Sequence, residues 1–326
     1  MDKPPLSWKQ ILRQNFTKLE PLLDFLSLDP AKRALCLNLP PFPLNLPRRL
    51  AEKIEKNNIE DPLFLQFVPL IKEKQSSQDF ILDPVCDKDF TKAPKLLHKY
   101  PGRVLLLVTS ACAMHCRFCF RQNFPYETED KSFEKELFYI ASNPTIHEVI
   151  LSGGDPLSLS THKLQPLLKA IDQIKHVKII RFHSRFIIGV PERISPNFLT
   201  QLKTLSKTLV FVLHINHATE IDSAVIESVK KLKSIGATVL AQSVLLNGVN
   251  NSKKALKELF LTLVTAGITP YYLHKLDKVK GAHHFNSEIA PAKKWLLELR
   301  DEMPGYAVPH FVEEIPHKQS KTLISV

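Results

Sequence analysis

Three cysteines, Cys112, Cys116 and Cys119, stand within eight residues of one another in Ser110–Arg121, SACAMHCRFCFR, spaced CxxxCxxC. Thiols this close on one loop suit metal or redox chemistry, and the chain's five cysteines are an odd number for a disulfide framework. A zinc site normally takes four protein ligands, often in pairs, whereas three from a single loop suit a 4Fe–4S cluster with one iron left open. His115 and Cys86 could complete a zinc site, so that reading stays open on spacing alone. An open iron can chelate the amino and carboxylate groups of S-adenosylmethionine. One electron from the reduced cluster then splits the sulfonium C–S bond and yields the 5′-deoxyadenosyl radical.

Other polar residues fall where such a ligand would need them. In SGGDPL (Ser152–Leu157), Gly153 and Gly154 allow close backbone approach beside Ser152, and Asp155 can accept from an ammonium group. His183-Ser184-Arg185, His214 and Gln242-Ser243 lie on or at the ends of apolar runs; each also reads as an ordinary buried polar group.

The elements that must position these residues follow from periodicity. Apolar, β-branched runs occur at 104–108, 148–151, 178–182, 209–215, 238–246 and 270–276. Amphipathic stretches alternate with them at 133–142, 161–174, 196–206, 220–235 and 252–266, with another at 290–302. Strands of this kind separated by helices form a parallel sheet covered by helices. The expected fold class is α/β, a partial (β/α)6 TIM-like barrel, with chemistry at the C-terminal ends of the strands. Ahead of it, Trp8–Phe16, Leu19–Leu26 and Arg48–Lys56 read as short helices broken by LPPFPLNLP (39–47). The expected division is a proline-rich helical cap at 1–97, a core barrel at 98–310 and a C-terminal segment at 311–326.

Composition agrees with that division. All 9 glycines lie at or beyond Gly102, while half of the 24 prolines fall in the first hundred residues. A 326-residue chain that is 44% hydrophobic and 24% charged can bury a large core and is not a disordered tail. No apolar run approaches the ~20 residues of a membrane span. The start, MDKPPLSWKQILRQNF, has no secretory pattern, so a cytoplasmic protein without membrane association is expected. The net charge of +11 fits anionic cofactors or a solvated basic surface. No RGG-type tract accompanies it, and nucleic acid is not expected as a partner.

The CxxxCxxC loop, with Phe118 before its last cysteine, resembles the radical S-adenosylmethionine superfamily. Within it, HKYPGRVLLLVTSACAMHCRFCFRQNF, ILSGGDPL, HINHATEID, QSVLLNGVN, PYYLHKLDKVKGAHHF and YAVPHFVEEIPHKQSKT resemble the lysine 2,3-aminomutase family, from about residue 85 to the C-terminus. DPLFLQFVP, the short C-terminus and LHKLDKVKGAHHF are similar to the bacterial branch that supplies (R)-β-lysine for elongation factor P.

The resemblance implies pyridoxal 5′-phosphate held as a Schiff base on Lys321 of the SKT motif, with Lys318 the nearest competitor. It also implies that Arg103 binds the phosphate and Arg121 the substrate carboxylate. Asp277 and Glu314 would bind the ε-ammonium of L-lysine, Glu314 replacing an aspartate of the catabolic enzymes. His214 and Gln242 match cofactor-contacting positions, as do Ser152, Gly153, Gly154 and Asp155. The implied reaction moves the amino nitrogen from C2 to C3 after a hydrogen atom leaves the β-carbon. The implied partners are an electron donor such as flavodoxin or ferredoxin, and elongation factor P with its lysine ligase. The family's zinc-binding cysteines have no counterpart, since no cysteine follows Cys119. The other enzymatic reading is a radical enzyme that modifies RNA or protein without pyridoxal phosphate.

Overall fold

The apolar runs pair side by side. In the computed structural model, which describes residues 6–75, 77–127, 129–130 and 132–325, one sheet of ten strands follows chain order. β1 (Thr91–Ala93) and β2 (Leu96–Tyr100) lead into β3 (Arg103–Thr109), β4 (Glu148–Gly153), β5 (Ile179–Ser184) and β6 (Thr208–His214). β7 (Thr238–Val244), β8 (Thr269–His274), β9 (His310–Glu313) and β10 (Thr322–Leu323) complete it. Pairing is parallel from β3 to β9 and antiparallel at both margins. Among the described residues the margins do not pair with each other, so the barrel is partial.

Short helices α1 (Trp8–Leu12), α2 (Leu19–Phe25), α3 (Pro30–Arg33), α4 (Arg48–Ala51) and α5 (Pro62–Phe67) precede the sheet. Those associated with the barrel are α6 (Glu134–Ala141), α7 (Thr161–Asp172), α8 (Phe186–Gly189), α9 (Pro196–Lys203), α10 (Ser223–Lys233), α11 (Lys253–Thr265) and α12 (Ile289–Glu302). Their starts are written locally. Ser195 caps α9 ahead of Pro196, Ser252 accepts from the Ala255 N–H, and Asp222 accepts from Ala224 and Val225.

The α/β partial barrel expected from periodicity is present, its parallel strands ending within about two residues of the expected positions. The antiparallel β1 and β2 and the late β9 and β10 are additional. The boundary expected at 97/98 falls inside β2, and that at 310/311 inside β9. The N-terminal helices also share the barrel's core: Leu22, Leu46, Phe64 and Phe67 are fully buried in the same cluster as Phe182 and Phe211. Those two barrel rings stack at 4.6 Å. Arg49, in α4, clasps Asp222 with two hydrogen bonds of 3.0 Å. No helix among the described residues is long and apolar enough to cross a membrane.

Candidate active site

Side chains alternate faces along a strand, so every second residue faces the barrel interior. Those interior positions include Ile150 and Ser152 on β4, Arg181 and His183 on β5, Gln242 and Val244 on β7, and Tyr272 and His274 on β8. With His214 at the end of β6 they line one cavity of about 290 Å³. Cys112, Cys116 and Cys119 enter from the loop after β3, Arg103 from its start and Arg121 just beyond the cysteines. Gly153, Gly154 and Asp155 follow β4, Asp277 follows β8, and Glu314 and Lys321 arrive from the C-terminal segment. The candidate cluster, cofactor and substrate residues named from the sequence all line this cavity, whereas His115, Cys86, Ser243 and Lys318 do not.

The cysteine loop is tied to the N-terminal residues. The Asn45 amide donates to the Cys112 carbonyl at 3.2 Å, and the His115 N–H donates to the Asn45 carbonyl at 2.9 Å. The Arg117 N–H reaches the Gln66 carbonyl at 2.9 Å. The Arg117 guanidinium is buried, donates to both Glu73 oxygens at 2.8 and 2.5 Å, and reaches the Phe42 carbonyl at 2.8 Å. His115 Nδ1 bonds the Pro43 carbonyl at 2.8 Å and its ring stacks on Phe42, and among the described residues His115 is not grouped with Cys86 as a potential metal ligand.

Arg185, just past β5, donates to Cys116 Sγ at 2.9 Å while Gln66 and Glu220 hold its other nitrogen at 2.7 and 2.8 Å. Burial pushes the Cys112 and Cys116 thiols up, and Cys119 to about 11. Three protonated thiols gathered on one buried loop become ligands when a metal displaces their protons.

Other charged groups already have partners. Arg121 Nε donates to Asp87 at 2.8 Å, and its Nη1 lies 3.4 Å from Ser152 Oγ. The Asp155 carboxylate accepts from the N–H groups of Leu157 and Arg185 and from Ser184 Oγ, at 2.7 to 3.0 Å. It therefore staples the end of β4 to that of β5. Gly154 lies against the cysteine loop: a Cβ there would stand 2.4 Å from the Ala111 carbonyl oxygen.

Desolvation in the cavity pushes the Asp277 carboxyl up to about 6, with the Lys321 charge pulling the other way. Glu314 takes Lys321 at 2.8 Å, Lys99 at 2.6 Å and the Tyr100 hydroxyl at 2.6 Å. Burial would raise its carboxyl, but Lys321, Lys99 and Tyr100 hold it at about 2. Arg103 lies over the Tyr100 ring at 4.6 Å.

Asp87, Lys99, Tyr100 and His274 were not singled out from the sequence. For His274 the period of two along β8 was an available signal. The other three sit on the short 87–90 turn and on β2, which carry no periodic signature.

Several buried polar atoms in the cavity lack a partner. His183, His214 and His274 each have an unpaired Nε2, as does Arg185 at Nε. Buried polar groups are normally bonded, so these atoms fit a polar ligand seated among them. Burial drives His183 and His274 well below the usual histidine range and His214 to about 3, leaving neutral rings. The cysteine trio fits a cluster, and a lysine amine sharing the cavity with Arg103 fits a phosphate-bearing aldehyde.

Comparison with known proteins adds the family. The family model for a 4Fe-4S single cluster domain matches residues 100–207. The L-lysine 2,3-aminomutase of Haemophilus influenzae is 41% identical over 285 residues, 86% of this chain and 84% of that protein. The chain belongs to the L-lysine 2,3-aminomutase family. The family member of Escherichia coli is 38% identical over 97% of this chain and 93% of its own length, and that of Clostridium subterminale 31% over 97% and 77%. For the fold alone, the crystal structure of Streptococcus suis SuiB matches at a TM-score of 0.50 and 16% identity, over 69% of this chain and 51% of that one. As a member of the lysine 2,3-aminomutase family the chain is a radical S-adenosylmethionine aminomutase, an isomerase with a 4Fe–4S cluster.

Proposed function

We propose that the chain converts L-lysine to (R)-β-lysine with pyridoxal 5′-phosphate carried on Lys321. The observation that carries this reading is the position of Lys321. It comes from the far end of the chain into the cavity that holds Cys112, Cys116 and Cys119, whereas Lys318 is exposed. When bound, pyridoxal phosphate links to the substrate amine and delocalises an unpaired electron, and S-adenosylmethionine on the cluster supplies the hydrogen-abstracting radical.

The chain's own residues position these parts. Arg103 offers a guanidinium fork to the phosphate, and Asp87 keeps the Arg121 fork aimed for a carboxylate. Asp277 and Glu314 offer carboxylates to the ε-ammonium, and Lys99 leaves Glu314 partly neutralised. His214, Gln242 and the Ser152–Gly154 strand end would hold S-adenosylmethionine, with Asp155 fixing the loop. Holding both ends of lysine sets its β-hydrogen beside the radical, which is the protein's main lever on rate. A cytoplasmic flavodoxin or ferredoxin fits as electron donor. The near-full-length match to the Escherichia coli relative supports the short bacterial branch, and with it supply of β-lysine to the ligase that modifies elongation factor P.

The test is anaerobic reconstitution. The holoprotein is expected to absorb near ~420 nm, to lose that band with borohydride and to carry the reduced label on Lys321. Turnover with L-lysine should give β-lysine, resolved by chromatography. Absence of a borohydride-fixed label on Lys321 would sink this reading in favour of an enzyme acting on RNA or protein without pyridoxal phosphate.

A further inference from the structure

Outside the cavity, a second set of metal-ligating side chains joins two distant parts of the chain. Cys86 leads into the 87–90 turn and Asp89 lies within it, while His317 belongs to the segment that carries Lys321. One ligand atom from each of the three lies within 4.8 Å of the others, and His317 Nε2 stands 3.3 Å from Asp89 Oδ2. Ligands bound at 2.0–2.3 Å around a tetrahedral ion are roughly 3.3–3.8 Å apart, so these atoms need only small movements to close on one ion.

The surroundings favour a cation at this point. The His317 ring leans on Phe90 at 5.3 Å, which limits its rotation. Burial, then the Asp83 and Asp89 carboxylates, raises the Cys86 thiol, and a divalent ion reverses that field. Cys86 and His317 both hold the left-handed backbone region, at φ 52° and 63°. These residues are not glycines, so the surrounding packing fixes the two ligand-bearing turns in place.

We propose that Cys86, Asp89 and His317 form a zinc-binding site that clamps the Lys321-bearing segment to the 87–90 turn. One thiolate, one imidazole and one carboxylate make the mixed donor set that zinc takes, with water as fourth ligand. The site is separate from the cysteine loop: Cys86 precedes it in sequence, and its partners Asp89 and His317 are not on that loop. The clamp has a direct route to the cavity. Asp87, beside Cys86, holds Arg121, and Lys99 bonds the Val85 carbonyl at 2.8 Å while pairing with Glu314. The effect on Lys321 rests on the function proposed above; the metal site does not.

The test uses full-length, cluster-loaded protein, equilibrated anaerobically with zinc chloride, desalted and analysed for zinc and iron. Competition with a chromophoric chelator then gives the affinity. Wild type is expected to keep about one zinc per chain beyond its iron. Cys86→Ser and His317→Gln should each weaken zinc binding roughly 100-fold while iron content stays unchanged. If either variant fails to hold iron, Asp89→Asn, which keeps the side chain's shape and removes its charge, is judged by zinc affinity in the same way. No retained zinc at micromolar free metal, or equal retention by wild type and the variants, overturns the proposal. Zinc binding without β-lysine formation would leave the site standing and refute only the function.

Discussion

Replacing Glu73 with alanine tests whether the N-terminal residues build the cluster loop or merely cover it. Glu73 receives two hydrogen bonds from Arg117, which stands between Cys116 and Phe118 and is 2% exposed. The variant leaves that guanidinium buried with only the Phe42 carbonyl as a side-chain partner. Breaking a buried pair from one side costs about 3–5 kcal/mol, because the remaining charge has lost its partner in a low dielectric. For a chain of this length the unfolding entropy is ~0.7 kcal/mol/K, so the melting temperature should fall by about 4–7 °C.

The loss should also be local. Arg117 N–H is held by Gln66, and a displaced Arg117 moves the backbone between Cys116 and Cys119. Iron retained after anaerobic reconstitution should fall more steeply than helicity does. The double variant Glu73→Ala with Arg117→Met removes both charges and should recover most of the lost stability. The assays are thermal melting by circular dichroism and iron per chain. An unchanged melting temperature with full iron loading, or a double variant no better than the single one, refutes the reasoning.

Two further outcomes follow from the cavity. Asp277, with its carboxyl at about 6, must be ionised to hold an ammonium, so KM for L-lysine should rise about tenfold per pH unit below that value. Because the folded-state value is raised, protonation favours folding: this contribution is complete below the ordinary carboxylate range and is lost as pH rises through about 6. Asp277→Asn should therefore abolish the KM trend and make the unliganded protein more stable at pH 8, and a variant that keeps the trend clears Asp277 of the role. Arg185→Gln with Glu220→Gln removes the donor to Cys116 without leaving a buried carboxylate unpaired. The cluster's reduction potential should then fall, since hydrogen bonds to cluster sulfurs raise it; an EPR-monitored titration with no shift counts against that bond.

Legibility in the sequence tracked periodicity. The parallel strands β3 to β8 were visible because Val104–Val108 and Leu209–Leu213 are unbroken apolar runs, mostly buried. β2 was not, since LLHKY mixes buried Leu96 and Leu97 with half-buried polar residues and pairs at a sheet margin. β9 has only four residues, and its HFVE pattern is set by pairing with β8. Among site residues, the cysteines and Gly153-Gly154 were legible from spacing.

Partners were the hidden part. Nothing near Arg117 in sequence announces Glu73, 44 positions away, and nothing near Glu314 announces Tyr100. Charge pairs closed by the fold leave no local pattern. The N-terminal residues looked like a cap for the same reason: their prolines and short helices say nothing of Asn45 and Gln66 bonding the cysteine loop.

β10 is two residues long and lies at a free margin of the sheet, paired to β9 through Thr322 and Leu323, with Ile324 N–H reaching the Phe311 carbonyl at 2.9 Å. Lys321 immediately precedes this shortest pairing. Peeling it away exposes a handful of edge amides and leaves the parallel strands paired, so the barrel's cooperative unfolding is not involved. Amides at 322–324 should thus exchange with solvent far sooner than those of β4 to β7. If Lys321 carries the cofactor as proposed, its release and recapture can proceed through local opening at the rim, while the parallel strands of the barrel stay paired.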